Sequence, residues 1–368
     1  MAATAARRLD YADHRRDPGA WARALGVSRA AIDLYLASDV IDLHIDSFIW
    51  TRLFGYDLTR RHGHGLFGAR FYSQADLPRL REAQVTGGIF VVTTNPLRGG
   101  DGRAAAFGRN LPRLKAILES VPAEVALVRT VDEYRAARAA GRFGAFLGVQ
   151  GGNALDRDAR ALDLIDDGPD GRFPSIVRVT LVHLSNSGLG GTSAPGGGAR
   201  GLSGAGRDYL RRLEARRIFV DLAHVSRPGF WDALEVHDRS LPAIVTHTGV
   251  CGVHPHWRNL DDRQVKAIAD TGGTIGVMYQ SSFLGDPLWA GRAESIVRHL
   301  EHIVEVAGPE FASLGSDWDG AIVPPRDLPT CLELPRLVQI MLDRGWREER
   351  VRKVLGQNFL GALQRLRG

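Results

Sequence analysis

A chain of 368 residues with 44% hydrophobic content has enough apolar material for one large core. Its formal net charge of +5 does not mark a nucleic-acid surface, because acidic residues are interleaved with the basic ones and nearly all of the latter are Arg, with Lys only at 115, 266 and 353. The apolar runs are too short to span a membrane, the first residues lack the apolar core of a signal peptide, and Cys251 and Cys331 can build neither a disulfide framework nor a Cys zinc site, so a cytoplasmic protein without membrane or nucleic-acid partners is expected.

Residues 1–38 read as an N-terminal helical extension, with helices near Ala20 to Leu25 and Ala30 to Leu36. Short apolar runs then predict strands near 39–44, 87–93, 144–149, 176–181, 217–221, 243–246, 273–277 and 311–315. Between them, segments such as Asp76 to Ala83, Leu210 to Ala215 and Ile296 to Val304 carry apolar residues at three- and four-residue spacing, the mark of amphipathic helices. Eight strands alternating with helices predict an α/β fold, a (β/α)8 TIM-like barrel over 39–320, followed by C-terminal helices in 321–368, all within a single domain.

Several of the strands run into residues that can hold a metal. The first ends on His44 and Asp46, which point to the same side of a strand, and the third runs into Gln150. The strand at 217–221 is followed by His224, that at 243–246 by His247, and that at 311–315 by Asp317. Any one of these could be a satisfied core or surface residue, but their joint placement at the C-terminal ends of barrel strands, where such barrels build active sites, points to one metal site. The glycine-rich stretch Gly188 to Gly201 lacks the ending of a phosphate-binding loop and reads as a flexible loop over the site; His62-Gly-His64 reads as an exposed loop. Trp50, Phe54, Tyr56, Phe71, Tyr72, Phe283 and Trp289, on predicted loops, could line a pocket or pack those loops to the barrel.

The segments Asp42-Leu-His-Ile-Asp46, Gly148 to Gly152, Arg178 to Asn186, Val220 to Ser226, Thr246-His-Thr248, Arg258 to Asp262 and Gly315 to Gly320 resemble, in order and spacing, the membrane dipeptidase (renal dipeptidase) family of the amidohydrolase superfamily, over roughly residues 39 to 360. The resemblance implies a barrel of the metal-dependent hydrolase type, one or two zinc ions, and hydrolysis of dipeptides with tolerance of a C-terminal D-residue. It also implies a homodimer. Carried over by motif, His44 and Asp46 would hold one ion and His224 and His247 the other. His183 would bind the scissile carbonyl oxygen, Arg258 would pair with the substrate's terminal carboxylate, and Asp317 would pass a proton to the leaving amine.

The chain departs from this pattern at Gln150, where the family carries a Glu that bridges two ions. A carboxylate offers an anionic oxygen to each cation, whereas an amide offers one neutral oxygen and an NH2 that cannot ligate, so the site is left one positive charge higher. Three outcomes follow: a two-ion site that accommodates Gln, a one-ion hydrolase, or a noncatalytic relative that binds or processes a peptide-like metabolite.

Overall fold

In the computed structural model, which describes residues 8–63, 68, 71–95, 98–156, 161–168 and 171–368, the strands are β1 (Ile41–Ile45), β2 (Gly87–Thr93), β3 (Val125–Leu127), β4 (Phe143–Gln150), β5 (Ile176–Thr180), β6 (Phe219–Asp221), β7 (Val245–Thr248), β8 (Ile275–Val277) and β9 (Ala312–Leu314). They pair in parallel in the order β6-β5-β4-β2-β1-β9-β8-β7. The two ends of this path meet at a parallel bridge between Asp221 and Ile244, where Leu222 N–H donates to the Ile244 carbonyl at 2.9 Å and Ile244 N–H to the Val220 carbonyl at 3.0 Å. All eight predicted strands are present and form this nearly closed barrel.

The ninth strand, β3, escaped the sequence reading. It has three residues, only Val125 of which is buried, and it pairs with Phe143 to Ala145 at the start of β4 while β5 takes the later half of that strand. A strand this short carries no periodicity to detect.

The helices begin where the chemistry of their caps dictates. Asp17, Ser28, Thr130, Ser203 and Ser226 each accept a backbone N–H from the first turn that follows, and Asp261 forms a reciprocal capping box with Gln264. Helix Ala293–Ala307 then buries Ile296, Leu300 and Ile303 on its barrel-facing side, and each such side chain contributes about 1.5–3 kcal/mol when removed from water. No helix among the described residues is long and apolar enough to cross a membrane.

The bottom of the barrel is sealed from the C-terminal side. Phe359 packs on Phe146 and Phe219, with ring centroids 5.3 and 6.2 Å apart, and the Arg367 guanidinium donates to the carbonyls of Arg129, Pro174, Ile176 and Arg217. Near the top, β7, β8 and β9 crowd together on the Thr246 carbonyl. A Cβ added at Gly276 would lie 2.0 Å from that oxygen, and one added at Gly315 would lie 1.7 Å from it.

Two glycines are therefore required for His247, the next residue, to reach the barrel axis. Gly315→Ala is expected to cost about 3 kcal/mol or more through forced displacement of backbone, read as a lowered urea midpoint at unchanged m-value.

Candidate active site

His44 lies on β1 and Asp46 just past it, Gln150 ends β4, and His183 and His224 each follow β5 and β6 by three residues. His247 sits in β7, Arg258 in the connection after it, and Asp317 three residues past β9. All eight come together at the C-terminal face of the barrel. Gln150 Oε1 is 2.8 Å from His44 Nε2, Gln150 Nε2 is 3.2 Å from His224 Nε2, and His224 Nε2 is 2.8 Å from His247 Nε2. His44 Nε2 is also 3.7 Å from an Asp46 oxygen and 3.6 Å from one of Asp317.

Backbone geometry aims two of these groups. His224 and Asp317 occupy the left-handed region, with φ of 64° and 65°, a conformation that costs a non-glycine residue roughly 1–3 kcal/mol and collects at functional sites. Asp317 is held there because its N–H donates to the His44 carbonyl at 3.1 Å while Asp46 N–H donates to the Trp318 carbonyl at 2.8 Å. In the same Asp-Trp-Asp run, Asp319 faces away from the cavity. Its carboxylate accepts from Ser47 and from the backbone of Gln74 and Ala75, so it clamps loops together.

Burial sets the charge states. It pushes the His183 imidazole down to about 4 and holds His224 and His247 well below the usual histidine range, so all three are neutral near pH 7. Burial, then the neighbouring Asp46, pushes the Asp317 carboxyl well above the usual carboxylate range, against the pull of Arg258. Arg258 itself is lowered to about 10 by burial and stays cationic; its NH2 donates to the His247 carbonyl at 2.6 Å.

The hydrogen bonds also locate the imidazole protons. Thr246 Oγ1 gives its hydrogen to Asp221 Oδ2 at 2.7 Å and so can only accept from His247 Nδ1 at 2.9 Å, which leaves a lone pair on His247 Nε2. The Gln150 NH2 can only donate, which makes His224 Nε2 an unprotonated acceptor. Imidazole nitrogens gathered this closely at 2.8 Å suit a divalent ion, with Gln150 displaced from His224 Nε2 when the ion binds.

Asp46, Gln150, His183, His224, Arg258 and Asp317 form one end of a cavity of about 350 Å³. Its other walls include Ile49, Arg52, Leu53, Leu184, Trp257, Met278 and Phe283. Of the aromatic residues proposed as walls, only Phe283 reaches it. Trp50 instead stacks on Phe54 and packs edge-on to Phe71 and tilted against Tyr72, while Tyr56 stacks on His62, so these rings pack among themselves. His62 is thereby accounted for, and His64 lies outside the described residues.

The glycine-rich loop does not line the cavity. Thr192 hydrogen-bonds the carbonyls of His183 and His224, and Ser193 N–H donates to the latter at 2.8 Å, so the loop buttresses two site residues from outside. Arg178, buried on β5 with one guanidinium nitrogen 2.7 Å from His44 Nδ1, was named only as part of a motif; an Arg inside the apolar run Ile176-Val-Arg-Val-Thr180 was the available signal.

The family model for membrane dipeptidase (peptidase family M19) matches residues 28–367. A solved dipeptidase AC, a metallopeptidase of family M19, is 25% identical and superposes with a TM-score of 0.74 over 90% of this chain and 99% of its own. A metallopeptidase from Rhodobacter sphaeroides, solved with a phosphinate mimic of the dipeptide L-Ala-D-Ala, is also 25% identical, with a TM-score of 0.73 over 89% of this chain and 99% of its own. An uncharacterized protein in the pqqA 5′ region of Klebsiella pneumoniae is 34% identical over 170 residues, 45% of this chain, and the chain spans 60% of the length of that curated relative.

If His224 and His247 hold an ion, His247→Ala is expected to weaken zinc retention by at least about 100-fold, read by competition with a chromogenic chelator.

Proposed function

The chain belongs to the membrane dipeptidase family, M19, and on that premise we propose that it is a metal-dependent hydrolase of dipeptides, with zinc as the ion. What carries the reading is the convergence, in one cavity of dipeptide size, of His224 with His247 beside it, an oxyanion partner, a carboxylate-binding Arg and a protonated acid. A divalent ion held at the facing histidines supplies Lewis acidity and lowers the pKa of water by several units.

The chain's own side chains perform the rest. Arg258, fixed by its bond to the His247 carbonyl, offers remaining guanidinium donors to the terminal carboxylate of a substrate and so sets where the scissile amide lies. His183 is a neutral imidazole on the cavity wall, and it can donate to the amide oxygen as negative charge develops there. Asp317, kept protonated by burial, delivers its proton to the leaving amine. Ile49, Leu53, Leu184 and Phe283 give the cavity an apolar wall beside these groups. The relative bound to the L-Ala-D-Ala mimic supports a panel that includes C-terminal D-residues. Gln150 motivates the second reading, a relative that binds a peptide-like metabolite without cleaving it.

Zinc-loaded protein is expected to cleave at least one member of a broad L,L and L,D dipeptide panel; binding by calorimetry without any turnover would favour the second reading. Arg258→Met is expected to lower kcat/KM by about 100-fold on a free dipeptide, and to change little when the substrate's C-terminus is amidated. An equal loss on both would mean that Arg258 does not read the carboxylate.

A further inference from the structure

The cavity wall carries a second guanidinium that no step of the proposed reaction uses. Ile49, Arg52 and Leu53 stand at i, i+3 and i+4 of the helix Phe48–Phe54, so they share one face, and all three line the cavity. From that face Arg52 reaches the end of β2, where its NH1 donates to the Thr93 carbonyl. It makes no other hydrogen bond and no ion pair among the described residues, which leaves most of its N–H donors unused by the protein. Burial lowers the guanidinium from the usual arginine range, with Asp46 pulling it up and Arg98 and Arg113 pushing it down. It stays cationic, and on the metal-dependent reading the Asp46 carboxylate is committed to an ion.

The placement of Arg52 relative to Arg258 says what it can meet. Arg258 bonds the carbonyl of His247 on β7, whereas Arg52 bonds a carbonyl of β2, and these strands stand four places apart in the order β6-β5-β4-β2-β1-β9-β8-β7, halfway round the barrel. The two cations therefore belong to opposite walls of one cavity. A recess that shares Arg52, Thr93 and Thr94 with the cavity adds Arg98 and Arg103, so the β2 side is basic as well. A dipeptide whose terminal carboxylate is held by Arg258 extends across the barrel mouth and brings its first residue to the β2 side. We propose that Arg52 determines specificity by binding the side-chain carboxylate of that first residue, so that the chain acts on dipeptides with Asp or Glu ahead of the scissile amide. A carboxylate meets a partly buried, under-used guanidinium through charge-assisted bonds that a neutral amide side chain cannot match. This rests on the dipeptidase reading of the site and deepens it.

The test compares kcat/KM of the zinc-loaded full chain on Glu-Ala with that on Gln-Ala, which has nearly the same shape and no side-chain charge. Wild type is expected to favour Glu-Ala by at least about 10-fold. In Arg52→Met the ratio is expected to fall to near one, and Arg52→Lys is expected to restore part of it. Because each ratio is taken within one protein, differences in folding or metal content between variants cancel. A wild type that cleaves both substrates equally overturns the proposal, as does a preference that survives in Arg52→Met. A charge preference found only at the second residue, for Ala-Glu over Ala-Gln, overturns it too. If no dipeptide is cleaved, the dipeptidase reading fails by itself, and calorimetric binding of the same pair decides the role of Arg52: at least about 10-fold tighter binding of Glu-Ala, lost in Arg52→Met, is expected, and equal affinities in wild type sink the inference.

Discussion

The buried carboxylate of Asp221 is the constraint on which the site depends. One oxygen accepts from Arg178, Thr180 and Thr246 side chains, and the other from the backbone N–H groups of Ala223 and Thr246. These bonds tie β5, β6 and β7 together at the seam where the sheet has only the bridge between Asp221 and Ile244 to close it. They also orient Thr246 beside His247 Nδ1, and they hold Arg178 within 2.7 Å of His44 Nδ1. A buried carboxylate with this many donors is expensive to strip of any one of them, since the remaining charge would be left under-compensated at zero solvent exposure.

Much of this was legible in the sequence because the barrel announces itself twice, through apolar runs of strand length and through polar residues placed just after them. Ile218-Phe-Val220 before Asp221 and His224 is the clearest case. What was not legible had physical causes. β3 is too short and too exposed to show a pattern. The aromatic residues at 50, 54, 71 and 72 form a cluster among themselves, an outcome set by which loop they must hold down and invisible in composition. The glycine-rich loop carries the composition of a mobile cover, yet Thr192 and Ser193 anchor it to His183 and His224.

Gln150 shows how far a motif can be read. Its position at the end of β4 identified it as part of the site, and the loss of an anion was plain from its chemistry. The buried polar groups around it were not, because Arg178 lies on the adjacent β5 and its approach to His44 on β1 depends on register. Sequence displays substitutions one at a time, while a buried polar interior has to satisfy its donors and acceptors as a set.

Asp317 donates its backbone N–H to His44, so the site lies where β9 returns to β1 and nearly the whole barrel stands between the two residues in the chain. No half-formed barrel contains this junction. An ion or substrate held there therefore binds only the completely closed form, and by mass action each binding event stabilises the domain as a whole against unfolding instead of one segment of it. Occupancy of the pocket and resistance of the entire chain to proteolysis are, in this architecture, two readings of one equilibrium.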